Sequence, residues 1–454
     1  MFLGEKYLLT NETAKKIYEN IQNLPILDPH NHLEAKEILE NKNWNDIWEA
    51  EGATDHYVWS LMRRCGIKEE YITGKRTNKE KWLALAKVFP NFAGNPTYEW
   101  IHLDLWRTLR IEKIVSEETA EEIWEESKKI LESENFKPQE ILKNIKAEIL
   151  CTTDDPSSDL SYHYKASQEI KEFKILPTWR PDNAINIEKE EWKSYVVTLG
   201  EIYNEDISNL DGFLRTLWKS HEKFKKHGCV GSDHAILYPY IKFVEKKSAE
   251  KIYSRAISGQ KLEENEIKDF KSFMMIEFGK MNQETDWVTQ LHIGALRDYR
   301  DSLFKTLGPN SGGDISTNFI EIAEGLRFFL NEFDSKLKIV LYVLDPTHLP
   351  TIATIARAFP NIFLGAPWWF NDSPYGMETY LKYTATVDIL YNLAGMVTDS
   401  RKLLSFGSRI EVFRRVLSNV LGEMVEKGQI PYKEALRLAE RISYSGPKEI
   451  FFKL

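Results

Sequence analysis

Residues 24–32 read LPILDPHNH, a short apolar run that ends in Asp28-Pro29-His30-Asn31-His32. The run has the make-up of a buried strand. Residues two apart on a strand face the same side, so His30 and His32 project together from its carboxyl end. Working outward, seven further runs of the same kind follow: Ala147 to Thr153, Lys174 to Arg180, Gly228 to His234, Val288 to Ile293, Lys338 to Leu344, Asn361 to Trp368 and Gly395 to Arg401. Segments of helical character separate them, among them Asp159 to Phe173, Leu210 to Lys226, Thr317 to Phe333, Pro350 to Phe359 and Met377 to Leu393. Strand and helix in alternation specify a parallel sheet, and eight repeats can close it. The expected fold class is therefore α/β, a (β/α)8 TIM-type barrel, with an open doubly wound sheet as the rival.

The stretch between the first and second strands is far longer than one crossover helix needs. It carries Trp44, Trp48, Trp59, Trp82, Trp100, Trp106 and Trp124 at helix-like spacing with charge between them, and these rings are read as packing. The expected organisation is a barrel catalytic domain over 1–33 and 147–454, with a mostly helical insertion subdomain over 34–146 covering the barrel mouth. Residues 407–454 read as closing helices.

Composition narrows the function. The 454 residues are 42% hydrophobic and 12% aromatic, enough for a large core, and the net charge of −9 offers no basic surplus for phosphates. A nucleic-acid partner is disfavoured. No apolar run approaches the length of a membrane span, and no secretion signal is visible. Cys65, Cys151 and Cys229 are odd in number and far apart, as expected of reduced thiols in a cytoplasmic protein.

The last predicted strand ends Thr398-Asp399-Ser400-Arg401, placing Asp399 and Arg401 on one face. In a closed barrel the eighth strand pairs with the first, which brings Asp399 beside His30 and His32. Two imidazoles and a carboxylate make an open site for one divalent metal, with zinc as the first choice and manganese, cobalt or iron also suited. Alone, Asp399 also reads as a helix cap. Other polar groups stand at strand ends: Asp154, Asp155, Arg180, Asp233, His234, His292, Asp345 and His348. Arg180 and Arg401 are suited to gripping a carboxylate in two-point fashion, although Arg180 could instead pair with Asp182. His292, flanked by apolar residues, reads equally as a buried structural imidazole and as a ligand or proton handler.

The Asp28-Pro29-His30-Asn31-His32 and Thr398-Asp399-Ser400-Arg401 motifs resemble those of the amidohydrolase superfamily. With Asp55-His56-Tyr57, Met62-Arg63-Arg64-Cys65-Gly66, Thr178-Trp179-Arg180-Pro181-Asp182 and Gly365-Ala366-Pro367-Trp368-Trp369-Phe370-Asn371-Asp372, the chain resembles the uronate (glucuronate) isomerases nearly end to end. The resemblance implies an aldose–ketose isomerase converting D-glucuronate to D-fructuronate and D-galacturonate to D-tagaturonate through an enediol. It implies His30, His32 and Asp399 as metal ligands. Asp399 or Tyr57 would transfer the proton, with His292 and Arg401 assisting, and Arg180, Arg401, His56, Trp368 and Trp369 would hold the substrate. No nucleotide cofactor is expected, and self-association as a homo-oligomer is. Ser232-Asp233-His234 stands where two-metal hydrolases of the superfamily carry a bridging lysine, which favours one metal. A mononuclear metal-dependent hydrolase of a carboxylate-bearing amide, lactone or ester, and a non-catalytic sugar-acid binder, are the competing readings.

Overall fold

The computed structural model describes residues 2–452; Met1, Lys453 and Leu454 lie outside the described residues. Nine strands are present among the described residues: β1 (Ile26–Asp28), β2 (Ala147–Cys151), β3 (Lys174–Leu176), β4 (Gly231–Ile236), β5 (Val288–Ile293), β6 (Ala295–Leu296), β7 (Ile315–Ser316), β8 (Ile339–Val343) and β9 (Ile362–Leu364). β1, β2 and β3 pair in parallel, as do β4, β5, β8 and β9. Single parallel bridges, Asp154 to Trp179 and Trp179 to Ser232, join the two groups. β6 and β7 form a small antiparallel hairpin beyond the end of β5.

Every residue of β5 and β8 is buried, as expected for parallel strands covered on both faces. The helices lay one apolar face on that sheet. Leu210–Lys226, begun by the Asn209 side chain accepting from the Gly212 N–H, buries Phe213, Leu217 and Phe224 while its lysines face outward.

The ring closes through the segment after residue 392. Leu393 bridges Leu364, the Ala394 N–H donates to the Leu364 carbonyl, the Asp399 N–H donates to the His30 carbonyl, and the His32 N–H donates to the Ser400 carbonyl. This is a TIM-type α/β barrel. The expected eighth strand over 395–401 is not regular, however. Gly395 has φ of +86° and Asp399 φ of +49°, and two left-handed residues interrupt the ladder while leaving the segment hydrogen-bonded at the seam.

Between β1 and β2 the described residues hold helices and no strand, among them Ile47–Glu51, His56–Arg64, Asn78–Val88 and Pro96–Leu103. Five of the seven tryptophans there are buried, with Trp48, Trp82 and Trp100 no more than 2% exposed, so they serve packing. The carboxyl end forms the helices Ser405–Glu426 and Tyr432–Glu440. No helix among the described residues is long and apolar enough to cross a membrane.

Candidate active site

The strand ends converge on one cavity, lined by His30, His32, His56, Arg180, His292, Arg297, Trp368, Trp369, Asp399 and Arg401. Asp399 stands at its centre. His30 Nε2 and His32 Nε2 lie 3.2 and 3.1 Å from Asp399 Oδ1, and the Trp368 indole N–H donates to Oδ2 at 3.0 Å. Burial works against a charge on Asp399, but the bonds from His30 and His32 outweigh it and hold the carboxyl well below its usual range. The left-handed backbone at Asp399 and at Trp369, with φ of +52°, is conformational strain of the kind active sites retain.

A second carboxylate, Asp233 on β4, ties the neighbouring groups together. Its oxygens lie 2.6 Å from His292 Nδ1, 3.4 Å from His30 Nδ1 and 3.0 Å from Arg180 Nη1. Burial disfavours the imidazolium of His30, yet Asp233 and then Asp399 raise it to about 9. His32 falls to about 3 and His292 to about 4, both chiefly through burial. The His292 ring stacks on Tyr342 at 4.3 Å, and with Nδ1 turned to Asp233 its buried Nε2 has no hydrogen-bond partner among the described residues. That nitrogen is left to the cavity, which separates His292 from a purely structural imidazole.

The seam itself is fixed by Asp28, which accepts from the Thr398 N–H at 3.0 Å and the Thr398 hydroxyl at 2.6 Å. These bonds set the height of Asp399 against the two histidines.

The two arginines separate. Arg180 is committed, donating to Asp182 at 2.7 Å and Asp233 at 3.0 Å, so the simple ion pair with Asp182 exists alongside its place in the cavity. Arg401 makes no side-chain hydrogen bond or ion pair among the described residues; only its carbonyl is engaged, by the Thr54 hydroxyl at 3.1 Å. An uncommitted guanidinium facing a cavity is the natural carboxylate grip. Arg297 also lines the wall, held by Asp314 at 3.0 Å and lying 4.6 Å over the Trp369 ring. The sequence reading did not single out Arg297: it follows β6, with no motif around it.

The helix His56–Arg64 brings His56 to the cavity, because Asp55 caps that helix by accepting the Tyr57 N–H at 2.9 Å. Burial, then Arg401, lowers His56 to about 4. Tyr57 is not among the lining residues. Its ring lies 5.6 Å from Trp100 and beneath the Arg409 guanidinium, and its buried hydroxyl has no partner among the described residues. Burial and the charge of Asp399 push it well above the ordinary phenol value. Tyr57 is thus a neutral phenol at ordinary pH and not the lowered phenolate that a base requires.

Other rim candidates have local tasks. Asp345 caps a turn by accepting from the Thr347 N–H, Asp154 accepts from Thr152, Asp155 binds Ser157 and Tyr195, and His234 meets Ser232. His348 is buried away from the cavity lining.

The ligand atoms of His30, His32 and Asp399 lie within 4.8 Å of one another, as do those of His30, Asp233 and His292. The first trio fits a divalent cation: two ligands on a tetrahedral zinc stand about 3.3 Å apart, close to the spacings seen here. The second trio already has its charge answered by Arg180 on Asp233, which argues against a second ion.

Comparison with known proteins agrees with this arrangement. The chain is 71% identical to a uronate isomerase of Thermotoga neapolitana over 452 residues, covering 100% of both. It superposes on the crystal structure of a uronate isomerase from Thermotoga maritima with a TM-score of 0.98 at 71% identity, covering 100% of both chains. A glucuronate isomerase from Caulobacter crescentus, at 24% identity and a TM-score of 0.95 over 99% of this chain and 96% of that one, shares the fold. The glucuronate isomerase family model matches residues 1–451. With His30, His32 and Asp399 gathered at the barrel seam and relatives matched over their whole length, the chain belongs to the glucuronate isomerase family.

Proposed function

We propose that the protein is a uronate isomerase, interconverting D-glucuronate with D-fructuronate and D-galacturonate with D-tagaturonate by proton transfer. The observation that carries this reading is the pairing of an ionised Asp399 with an uncommitted Arg401 across one cavity, in a chain of the glucuronate isomerase family. Moving a carbonyl from carbon 1 to carbon 2 removes a proton from carbon 2 and adds one to carbon 1, through an enediol. Arg401 grips the substrate carboxylate. Arg180, His56, Trp368 and Trp369 shape the rest of the pocket.

Asp399 accepts the carbon 2 proton and, after exchange with solvent, delivers a proton to carbon 1. The donors that keep it ionised also weaken it as a base, so the substrate proton must itself be acidified by charge stabilisation on the enediolate. Each well-placed donor contributes about 3 kcal/mol, or roughly a hundredfold in rate. His292 Nε2 assists by handling protons at the sugar oxygens, while Tyr57, which does not line the cavity, packs behind it beneath Arg409. A divalent ion, zinc by first choice, held by His30, His32 and Asp399 supplies Lewis-acid polarisation of a substrate oxygen when bound. The helical stretch 34–146 acts as a subdomain over the barrel mouth. Within the cell we place the protein in the cytoplasm, as a homo-oligomer.

Incubating the purified protein with D-glucuronate in deuterated water and following the proton spectrum tests the reading. Ketose formation with loss of the carbon 2 signal to solvent is expected. Unchanged sugar, with hydrolysis of a carboxylate-bearing ester or amide instead, would replace it with the hydrolase reading.

A further inference from the structure

Lys402, next to Arg401, carries its ammonium into the protein interior, where it meets three carboxylates. It donates to Glu51, lies 3.2 Å from Asp104 Oδ2 and 3.8 Å from Asp55 Oδ2, and none of the four side chains is more than 4% exposed. The acids come from three separate places in the stretch between β1 and β2. Glu51 ends the helix Ile47–Glu51, Asp55 caps His56–Arg64, and Asp104 follows Pro96–Leu103. The Ser408 hydroxyl donates to Asp104, and Thr54 reaches the Arg401 carbonyl.

A buried cluster of this kind is a poor source of net stability, since desolvation offsets most of the attraction, but losing one partner leaves charge stranded. Its hydrogen bonds tie Glu51 and Asp104 to the final barrel segment, and the charge contact with Asp55 at 3.8 Å brings the cap of the His56 helix onto the same ammonium. On either side of the tie stand His56, reached through Asp55, and Arg401, the neighbour of Lys402; both line the cavity. We propose that Lys402 is a positioning residue, a latch that fixes His56 against Arg401 and Asp399 by gathering Glu51, Asp55 and Asp104 onto one ammonium. Its kinetic consequence rests on the isomerase reading above.

The test uses the full chain with Lys402→Met, Lys402→Arg, Glu51→Gln and Asp104→Asn, assayed on D-glucuronate at a temperature where circular dichroism shows each variant fully folded. Small misplacements of catalytic groups cost large factors, so kcat should fall about tenfold or more in Lys402→Met and about threefold in Glu51→Gln. Metal content should stay at the wild-type level, and Lys402→Arg should recover part of the loss. A merely structural lysine would lower the melting temperature and leave kcat of the folded enzyme unchanged. Folded variants with kcat within about twofold of wild type would overturn the latch. Should Lys402→Met not fold, Glu51→Gln and Asp104→Asn decide on the same criterion. A wild-type protein inert on D-glucuronate would sink the isomerase reading instead. Hydrogen exchange would then decide the latch: amides 54–60 must exchange faster in Lys402→Met while those of β5 do not, and uniform exchange would overturn it.

Discussion

His30 Nε2 and Asp399 Oδ1 stand 3.2 Å apart although 369 positions separate them in the chain. Barrel closure alone puts them together, and the same contact ties a carboxylate to an imidazole that also faces Asp233. Asp399→Asn keeps the shape and removes the charge. Turnover of D-glucuronate should fall about a thousandfold, in the range expected for loss of a general base, with the circular dichroism spectrum unchanged. An active Asp399→Asn enzyme would take the proton-transfer role away from this residue.

Arg401 and Arg180 should fail in different ways. Removing the uncommitted Arg401 as Arg401→Met should raise KM for hexuronates roughly ten- to a hundredfold while leaving the melting temperature near wild type. Arg180→Met strands the buried Asp233 and should cost about 3–5 kcal/mol of stability. Steady-state kinetics beside thermal denaturation separates the two; a stability loss confined to Arg401→Met would reverse the assignment.

His32→Ala removes one ligand of the candidate metal trio. Zinc affinity by equilibrium dialysis should weaken about a hundredfold or more, because a mononuclear site with two remaining protein ligands is open and poorly held. Wild-type affinity in the variant would move the ion elsewhere.

Tyr57→Phe deletes a buried hydroxyl with no partner among the described residues. The melting temperature should hold or rise, since an unpaired buried polar group is destabilising. Turnover should stay within about threefold of wild type, because Tyr57 does not line the cavity and packs beneath Arg409. A roughly hundredfold fall in kcat with the fold intact would instead make Tyr57 a proton donor.

Asp154 offers a pH test away from the metal trio. Burial raises its carboxyl from 3.8 to about 6, against the lowering bonds from Thr152 and Thr178. A folded value above the unfolded one means the folded state holds the proton more tightly. Its contribution is therefore fully present below pH 4 and is lost as pH rises through 6. The loss is about 3 kcal/mol. Asp154→Asn should flatten that part of the profile, seen as a shallower fall in melting temperature between pH 4 and 6. Parallel wild-type and variant profiles would reject it.

The legible parts of the molecule were those where one local pattern suffices. Val288 to Ile293 is readable to the residue because Val288, Leu291 and Ile293 make a short apolar and β-branched run of strand length, and Leu210 to Lys226 because its apolar residues recur at helical spacing. The meeting of His30, His32 and Asp399 followed from closure. The regularity of the last strand did not, since nothing in Thr398-Asp399-Ser400 announces a left-handed residue. Arg297 sits beyond a two-residue strand in a loop whose path depends on tertiary packing. Lys402 reads as an ordinary surface charge until three acids from distant helices surround it.

The seam between β1 and residues 398–400 also dictates when the enzyme can exist during its own synthesis. A nascent chain emerging from the ribosome presents its two histidines and waits for their carboxylate until the 369 positions from His30 to Asp399 have been made. Throughout that interval one edge of β1 has no neighbour to cover it, and an uncovered edge invites pairing with other chains. Until that seam forms, the first strand is an edge the growing chain has to shield, long before any sugar can be turned over.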